Sequence, residues 1–297
     1  ICRMARVVLA FAAGSVAALA LQRLLSHQHT AAGSAAEAHT AASALEARAA
    51  TLVEIDEREH GAPPLPLASP EEVGLSSARL QQISAWSDGW VDSGKLPGLL
   101  TLIVRGGKLC YLHRSGLADV ETGREMAQNT IVRLYSLSKP LVSVCAMVLY
   151  ERGYFQLDEP ISHHLPSFSH PRVLLPSGAL VPAKREITVR DLLTHTAGLT
   201  YGDSDSEVDA QYKRAGCGWD APYRLSLSDF VDRVGRLPLA FHPGESWRYS
   251  YATDVLGRLL EVLTTKPLDA LMHETLFAPL RMASTGFFVP KEDRARF

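Results

Sequence analysis

The first apolar feature is an uncharged run, residues 7–21 (VVLAFAAGSVAALAL), behind Arg3 and Arg6. It is shorter than the roughly 20 residues a spanning helix needs, and Ala18-Leu19-Ala20 has the small-x-small form of a cleavage site. Residues 1–25 therefore read as a secretory signal peptide or a membrane anchor, giving a secreted or membrane-tethered product. A mitochondrial transit peptide is the alternative, because no acidic residue precedes Glu37. Residues 26–68 are Ala-rich and then Pro-punctuated, with few large apolar side chains to hold a helix against anything, and read as a linker. A folded domain is expected over 69–297.

Within it, helical and strand-like patterns alternate. Leu80, Ile83, Trp86 and Trp90 recur at helical spacing behind Ser76 or Ser77, either of which can cap a helix. Leu99 to Val104 and Leu109 to His113, joined through Arg105-Gly106-Gly107-Lys108, predict an antiparallel hairpin. Residues 139–150 (KPLVSVCAMVLY) are apolar on all faces, which predicts a helix enclosed by its domain. Pro140 is tolerated in its first turn, and Gly153 is the expected stop. Shorter helices are expected at about 189–194, 227–234 and 251–263, the last with Val255, Leu256, Leu259, Leu260 and Leu263 on one face. No internal repeat is visible.

Composition excludes several classes. With 297 residues, 46% hydrophobic and 21% charged, the chain is neither collagen-like nor wholly disordered nor a polytopic membrane protein. Its 30 basic and 32 acidic residues leave a net charge of -2, without the excess of basic charge that gripping nucleic acid requires. Cys2, Cys110, Cys145 and Cys217 form no CxxC pair and read as free thiols. The chain opens on Ile1 and stops in a charged run at Phe297, so it is read as a fragment, C-terminally truncated.

Only seven lysines occur. One of them, Lys139, follows Ser136 by three positions at the start of the apolar helix, where a helical turn lets the ammonium reach the hydroxyl. The helix N-terminus adds unpaired N–H groups and a positive dipole end, which lower a lysine pKa and stabilise an oxyanion. A desolvated, neutral lysine beside a serine is a Ser-Lys nucleophile pair.

Residues 134–139 (LYSLSK) resemble the S-x-x-K motif of the serine β-lactamase and penicillin-binding-protein superfamily, especially its class C-like esterase branch. Three further stretches are similar to that branch and stand in its order: residues 187–199 (ITVRDLLTHTAGL), 241–250 (FHPGESWRYS) continuing to 254–257 (DVLG), and 279–287 (PLRMASTGF). The resemblance implies an α/β (α+β) fold: an antiparallel sheet flanked by helices plus a helical region, with the site between them. It implies that Ser136 is the acylated nucleophile, Lys139 its base partner and Tyr249 the tyrosine of the Y-x-N element. The third position of that element is Tyr251 instead of Asn. As the family's Asn contacts a lactam amide, Tyr251 as a substrate-binding residue suits an ester better. The family's K-T-G or H-x-G element does not occur before Phe297.

The expected reaction is acyl transfer from a small ester or amide to water. β-Lactamase or D-amino-acid peptidase activity, and a catalytically silent scaffold or self-assembling role, are the alternatives. His195 with Asp191 invites a Ser-His-Asp reading, but no G-x-S-x-G elbow occurs and His195 is read as structural. His163-His164 and His273-Glu274 lack the second histidine of H-E-x-x-H, so no metal and no cofactor is expected. Asp203, Asp205, Glu207 and Asp209 read as a solvated acidic loop, which the resemblance places near the pocket rim.

Overall fold

The computed structural model describes residues 65–220 and 225–297. The expected leader and nearly all of the linker lie outside the described residues. Two compact units emerge: one takes Leu134–Phe288, the other the described residues up to Arg133 together with Val289–Phe297.

In the second unit, helix α1 (Ser77–Asp92) starts where the Ser76 hydroxyl accepts the Arg79 N–H. Strand β1 (Gly98–Arg105) pairs antiparallel with β2 (Lys108–Asp119), and β2 with the short β3 (Arg124–Glu125). Gly106 and Gly107 both take positive φ, 60° and 74°, which fits a two-residue turn to the twist of its strands. At the other end Gly98 lies opposite Gly116, and a Cβ on Gly98 would sit 2.2 Å from the Leu117 carbonyl oxygen. No side chain fits there. Helix α1 meets the hairpin through the Ser84 and Tyr111 hydroxyls, 2.8 Å apart, and through Asp88 and His113 Nε2, 2.9 Å apart. Its buried positions are Leu80 and Ser87, while Trp86 and Trp90 remain exposed. The helical spacing is as read, but the buried stripe runs beside the tryptophans.

The first unit contains helices α2 (Ser138–Glu151), α3 (Val189–Thr194), α4 (Glu207–Arg214), α5 (Leu227–Val234), α6 (Ala252–Thr264) and α7 (Leu268–Met272). A two-stranded antiparallel ladder joins β4 (Arg172–Leu174) to β5 (Leu180–Pro182). Helix α6 is the hub, packed by α2, α3, α5 and α7. Its Val255, Leu256, Leu259 and Leu260 are fully buried, each worth about 1.5–3 kcal/mol on removal from water.

Helix α2 begins with Pro140 in its first turn and stops at Gly153, φ 77°, whose N–H donates to the Tyr150 carbonyl at 2.9 Å. Val142, Cys145, Ala146 and Leu149 form its buried stripe, whereas Val144 and Met147 are 47% and 37% exposed. The expected helix enclosed on every face is therefore corrected to a helix enclosed along one stripe. Helix α4 is a second departure, because it occupies part of the stretch read as an acidic loop. It buries Val208, Asp209 and Tyr212 in an otherwise polar sequence. The architecture is mixed α/β with antiparallel sheets and helices, as the resemblance implies. Among the described residues no helix is long and apolar enough to cross a membrane.

Candidate active site

Ser136 lies in a 3-10 turn, Tyr135–Leu137, that runs directly into α2. Tyr135 takes φ 45°, a left-handed conformation that costs a non-glycine residue about 1–3 kcal/mol and persists only where the surroundings impose it. The strained turn presents Ser136 on the exposed side of the helix start and leaves Lys139, in the first turn of α2, half-buried. No side chain caps α2; the Ser138 N–H at its start donates back to the Ser136 and Tyr135 carbonyls, and the positive dipole end of the helix lies beside Ser136.

The Lys139 ammonium lies over two aromatic rings, 4.6 Å from the centroid of Tyr249 and 5.7 Å from that of Tyr201. A ring quadrupole attracts a cation in this geometry without the deep neutralisation of a carboxylate partner. Tyr201 and Tyr249 have centroids 5.5 Å apart, and Tyr201 meets Tyr251 edge-on at 4.4 Å. Tyr249 is 37% exposed and reaches solvent, while Tyr251 is 2% exposed, enclosed by Tyr201 and by Phe230 at 4.8 Å. The structure thus brings Ser136, Lys139, Tyr249 and Tyr251 into one unit, with Tyr251 behind Tyr201.

His195 sits at the end of α3 with φ 57°, its ring 4.8 Å from that of Tyr249. Burial, assisted by the charge of Lys139, holds its pKa below the usual histidine value, so the ring is neutral at neutral pH. Its Nδ1 is buried without a hydrogen-bond partner. Asp191 is committed elsewhere: it accepts from Arg185 at 2.6 and 2.9 Å, from the Thr188 N–H at 2.9 Å and from the Thr196 hydroxyl at 2.9 Å. Among the described residues no carboxylate orients His195 as a triad would require. Among the described residues no three His, Cys, Asp or Glu side chains gather as metal ligands.

Phe230, which packs on Tyr251, also lines a cleft of about 300 Å³ with Leu225, Leu227, Asp254, Leu268 and Phe287. Burial pushes the Asp254 carboxyl up, against the pull of the Lys139 charge.

The family model named Beta-lactamase matches residues 78–297. The chain belongs to the beta-lactamase family. Among its relatives, Esterase EstB of Burkholderia gladioli is 35% identical over 227 residues, covering 76% of this chain and 56% of that protein. Lovastatin esterase of Penicillium rubens is 28% identical, covering 69% and 53%. Among solved structures, EstCE1, described as a hydrolase with promiscuous acyltransferase activity, superposes with a TM-score of 0.62 at 32% identity, over 73% of this chain and 54% of that one. The chain spans about half the length of the curated relatives it matches.

Two features of this candidate site escaped sequence reasoning. Tyr201 stands two residues beyond the Leu199 that ends the recognised stretch, with nothing in the pattern to mark it. Asp209 was grouped with a solvated loop but is completely buried.

Proposed function

We propose that the protein is a serine hydrolase that cleaves a small ester through an acyl-enzyme on Ser136. The observation that carries this reading is the Lys139 ammonium seated at the Tyr249 ring, one helical turn from Ser136. In the proposed reaction the Lys139/Tyr249 pair acts after losing one proton, so that it can take the proton of the Ser136 hydroxyl as the oxygen attacks the ester carbonyl. The oxyanion that forms is stabilised at the α2 N-terminus. The tetrahedral intermediate then collapses: the ester C–O bond breaks, the alcohol leaves with a proton returned by Tyr249, and the acyl group remains on Ser136. A water molecule, deprotonated by the same pair, attacks the acyl-enzyme; the bond between the acyl carbon and Ser136 Oγ then breaks, the pair returns the proton to Ser136, and the acid is released.

The absence of Asn at position 251 favours an ester over a lactam. The Tyr251 ring is enclosed, so its influence on substrate is proposed to run through Tyr201, which it buttresses. The esterase and acyltransferase relatives support the reaction class. Residues 1–25 are proposed as a leader or membrane anchor; intact protein carrying this segment in the cytosol would refute that.

The test of the substrate class compares p-nitrophenyl esters of short acids with a chromogenic cephalosporin on the full-length protein. Faster ester turnover is expected, and equal or faster cephalosporin turnover would overturn the ester reading.

A further inference from the structure

Of the acidic residues Asp203, Asp205, Glu207 and Asp209, only Asp209 is fully enclosed, at 0% exposure. It lies in the first turn of α4, where the Ser206 hydroxyl caps its N–H at 3.3 Å. A local cap needs no burial, and burying a carboxylate is costly unless it is paired with a cation and hydrogen-bonded. Asp209 meets that condition by reaching outside its own helix. One carboxylate oxygen accepts from the Thr200 hydroxyl. The other accepts from the hydroxyls of Ser204 and Ser206 and from Arg248 Nη2, the last at 2.6 Å.

The two distant partners share a property. Thr200 immediately precedes Tyr201, and Arg248 immediately precedes Tyr249. Each is also tied along its backbone: the Thr200 hydroxyl accepts the Gly202 N–H at 3.2 Å, and the Arg248 N–H donates to the His195 carbonyl at 2.9 Å. A single buried carboxylate therefore clamps the chain on the N-terminal side of both tyrosines that face the Lys139 ammonium. Both tyrosines sit on segments without regular secondary structure, where no helix or ladder fixes the backbone.

We infer that Asp209 is a positioning residue, which through Thr200 and Arg248 sets Tyr201 and Tyr249 around Lys139. The inference rests on the Ser136-Lys139-Tyr249 reading above. Asp209 touches neither substrate nor reacting atoms. Its contribution is geometric, and proton transfer through the Lys139/Tyr249 pair falls off when the pair is misplaced.

The test uses purified full-length protein, first labelled with a fluorophosphonate and mapped, then assayed with a p-nitrophenyl ester across pH. Asp209→Asn keeps an acceptor for Thr200 but turns an amide toward Arg248. Its kcat should fall on the order of 10–10²-fold with KM little changed, because misplacement near 1 Å has effects of that size. The pH at the midpoint of its rate profile should also move, since that macroscopic value belongs to the pair. Thr200→Val and Arg248→Met each cut one tether and should give smaller losses of the same kind. Arg248→Lys, which retains the charge, should recover part of the rate lost in Arg248→Met. If Asp209→Asn does not fold, the Thr200 and Arg248 variants carry the test by the same criteria. Folded variants with wild-type kcat and wild-type pH profile, on a protein labelled at Ser136, would overturn this inference alone. A wild-type protein not labelled at Ser136 would overturn the underlying reading and this inference with it.

Discussion

The helical unit, Leu134–Phe288, gathers its buried side chains from Val142 to Phe277 into one continuous cluster around α6. Among the described residues the hairpin unit encloses far less, namely Leu80, Leu99, Leu109, Cys110, Tyr111 and Met126, and leaves Leu102 and Val104 exposed on one face of β1. The difference follows from the elements. Helices arriving on several sides of α6 surround its apolar stripe, whereas a short antiparallel sheet with one described helix against it leaves apolar positions in water. All three proposed catalytic residues lie in the better-packed unit. Ser136 lies in the 3-10 turn that leads into α2, and Tyr249 in an irregular piece ahead of α6.

Substitutions in the site should break this contrast most severely. Lys139→Ala is expected to lower ester turnover nearly as far as Ser136→Ala, because a serine hydroxyl is a poor nucleophile until something takes its proton. Tyr249→Phe keeps the ring over the ammonium and removes one proton carrier, so a loss of about 10²–10⁴-fold in kcat is expected. The losses in Lys139→Ala and Tyr249→Phe should not add when combined, since residues acting as one unit fail together. Steady-state kinetics on the single and double variants checks both.

Stability should separate the two units next. Leu256→Ala, at the buried centre of α6, is expected to cost about 2–5 kcal/mol in chemical denaturation.

A pH titration sharpens the same point. Burial raises the Asp209 carboxyl, but hydrogen bonds from Ser204, Thr200, Ser206 and Arg248 outweigh it and bring its pKa down to about 2, from 3.8. A carboxyl depressed on folding contributes stability above its unfolded pKa and loses it as pH falls through the folded value. Thermal stability of the helical unit should therefore drop between about pH 4 and pH 2, by on the order of 2 kcal/mol. Asp209→Asn should flatten that part of the profile. The smallest effect is expected in the hairpin, where Leu102→Thr should shift stability by no more than about 0.5 kcal/mol.

Much of this architecture was legible where the signal is local. The Arg105-Gly106-Gly107-Lys108 turn, a serine cap at position 76 or 77 and the α6 stripe each depend on neighbours a few residues away, and each is placed from the pattern, the structure choosing Ser76 for the cap. Helix α4 was not, because EVDAQYKR offers only Val208 and Tyr212 as apolar anchors and four charged side chains. The reading of α2 failed for a complementary reason: periodicity cannot tell which of several apolar faces meets a partner, and Val144 and Met147 do not find one that encloses them. In the site, Ser136 and Lys139 were visible as a short motif and Tyr249 through resemblance. Tyr201 and Asp209 acquire meaning only from residues far along the chain, Lys139 for the first and Arg248 for the second, so spacing alone could not expose them.

The central claim, an acyl-enzyme on Ser136, is tested most directly by mass-spectrometric mapping of the full-length protein after reaction with a fluorophosphonate. The account predicts one adduct, on the peptide carrying Ser136. It should be lost in Ser136→Ala and retained in His195→Ala. An adduct on another residue, or labelling that survives Ser136→Ala, would contradict it.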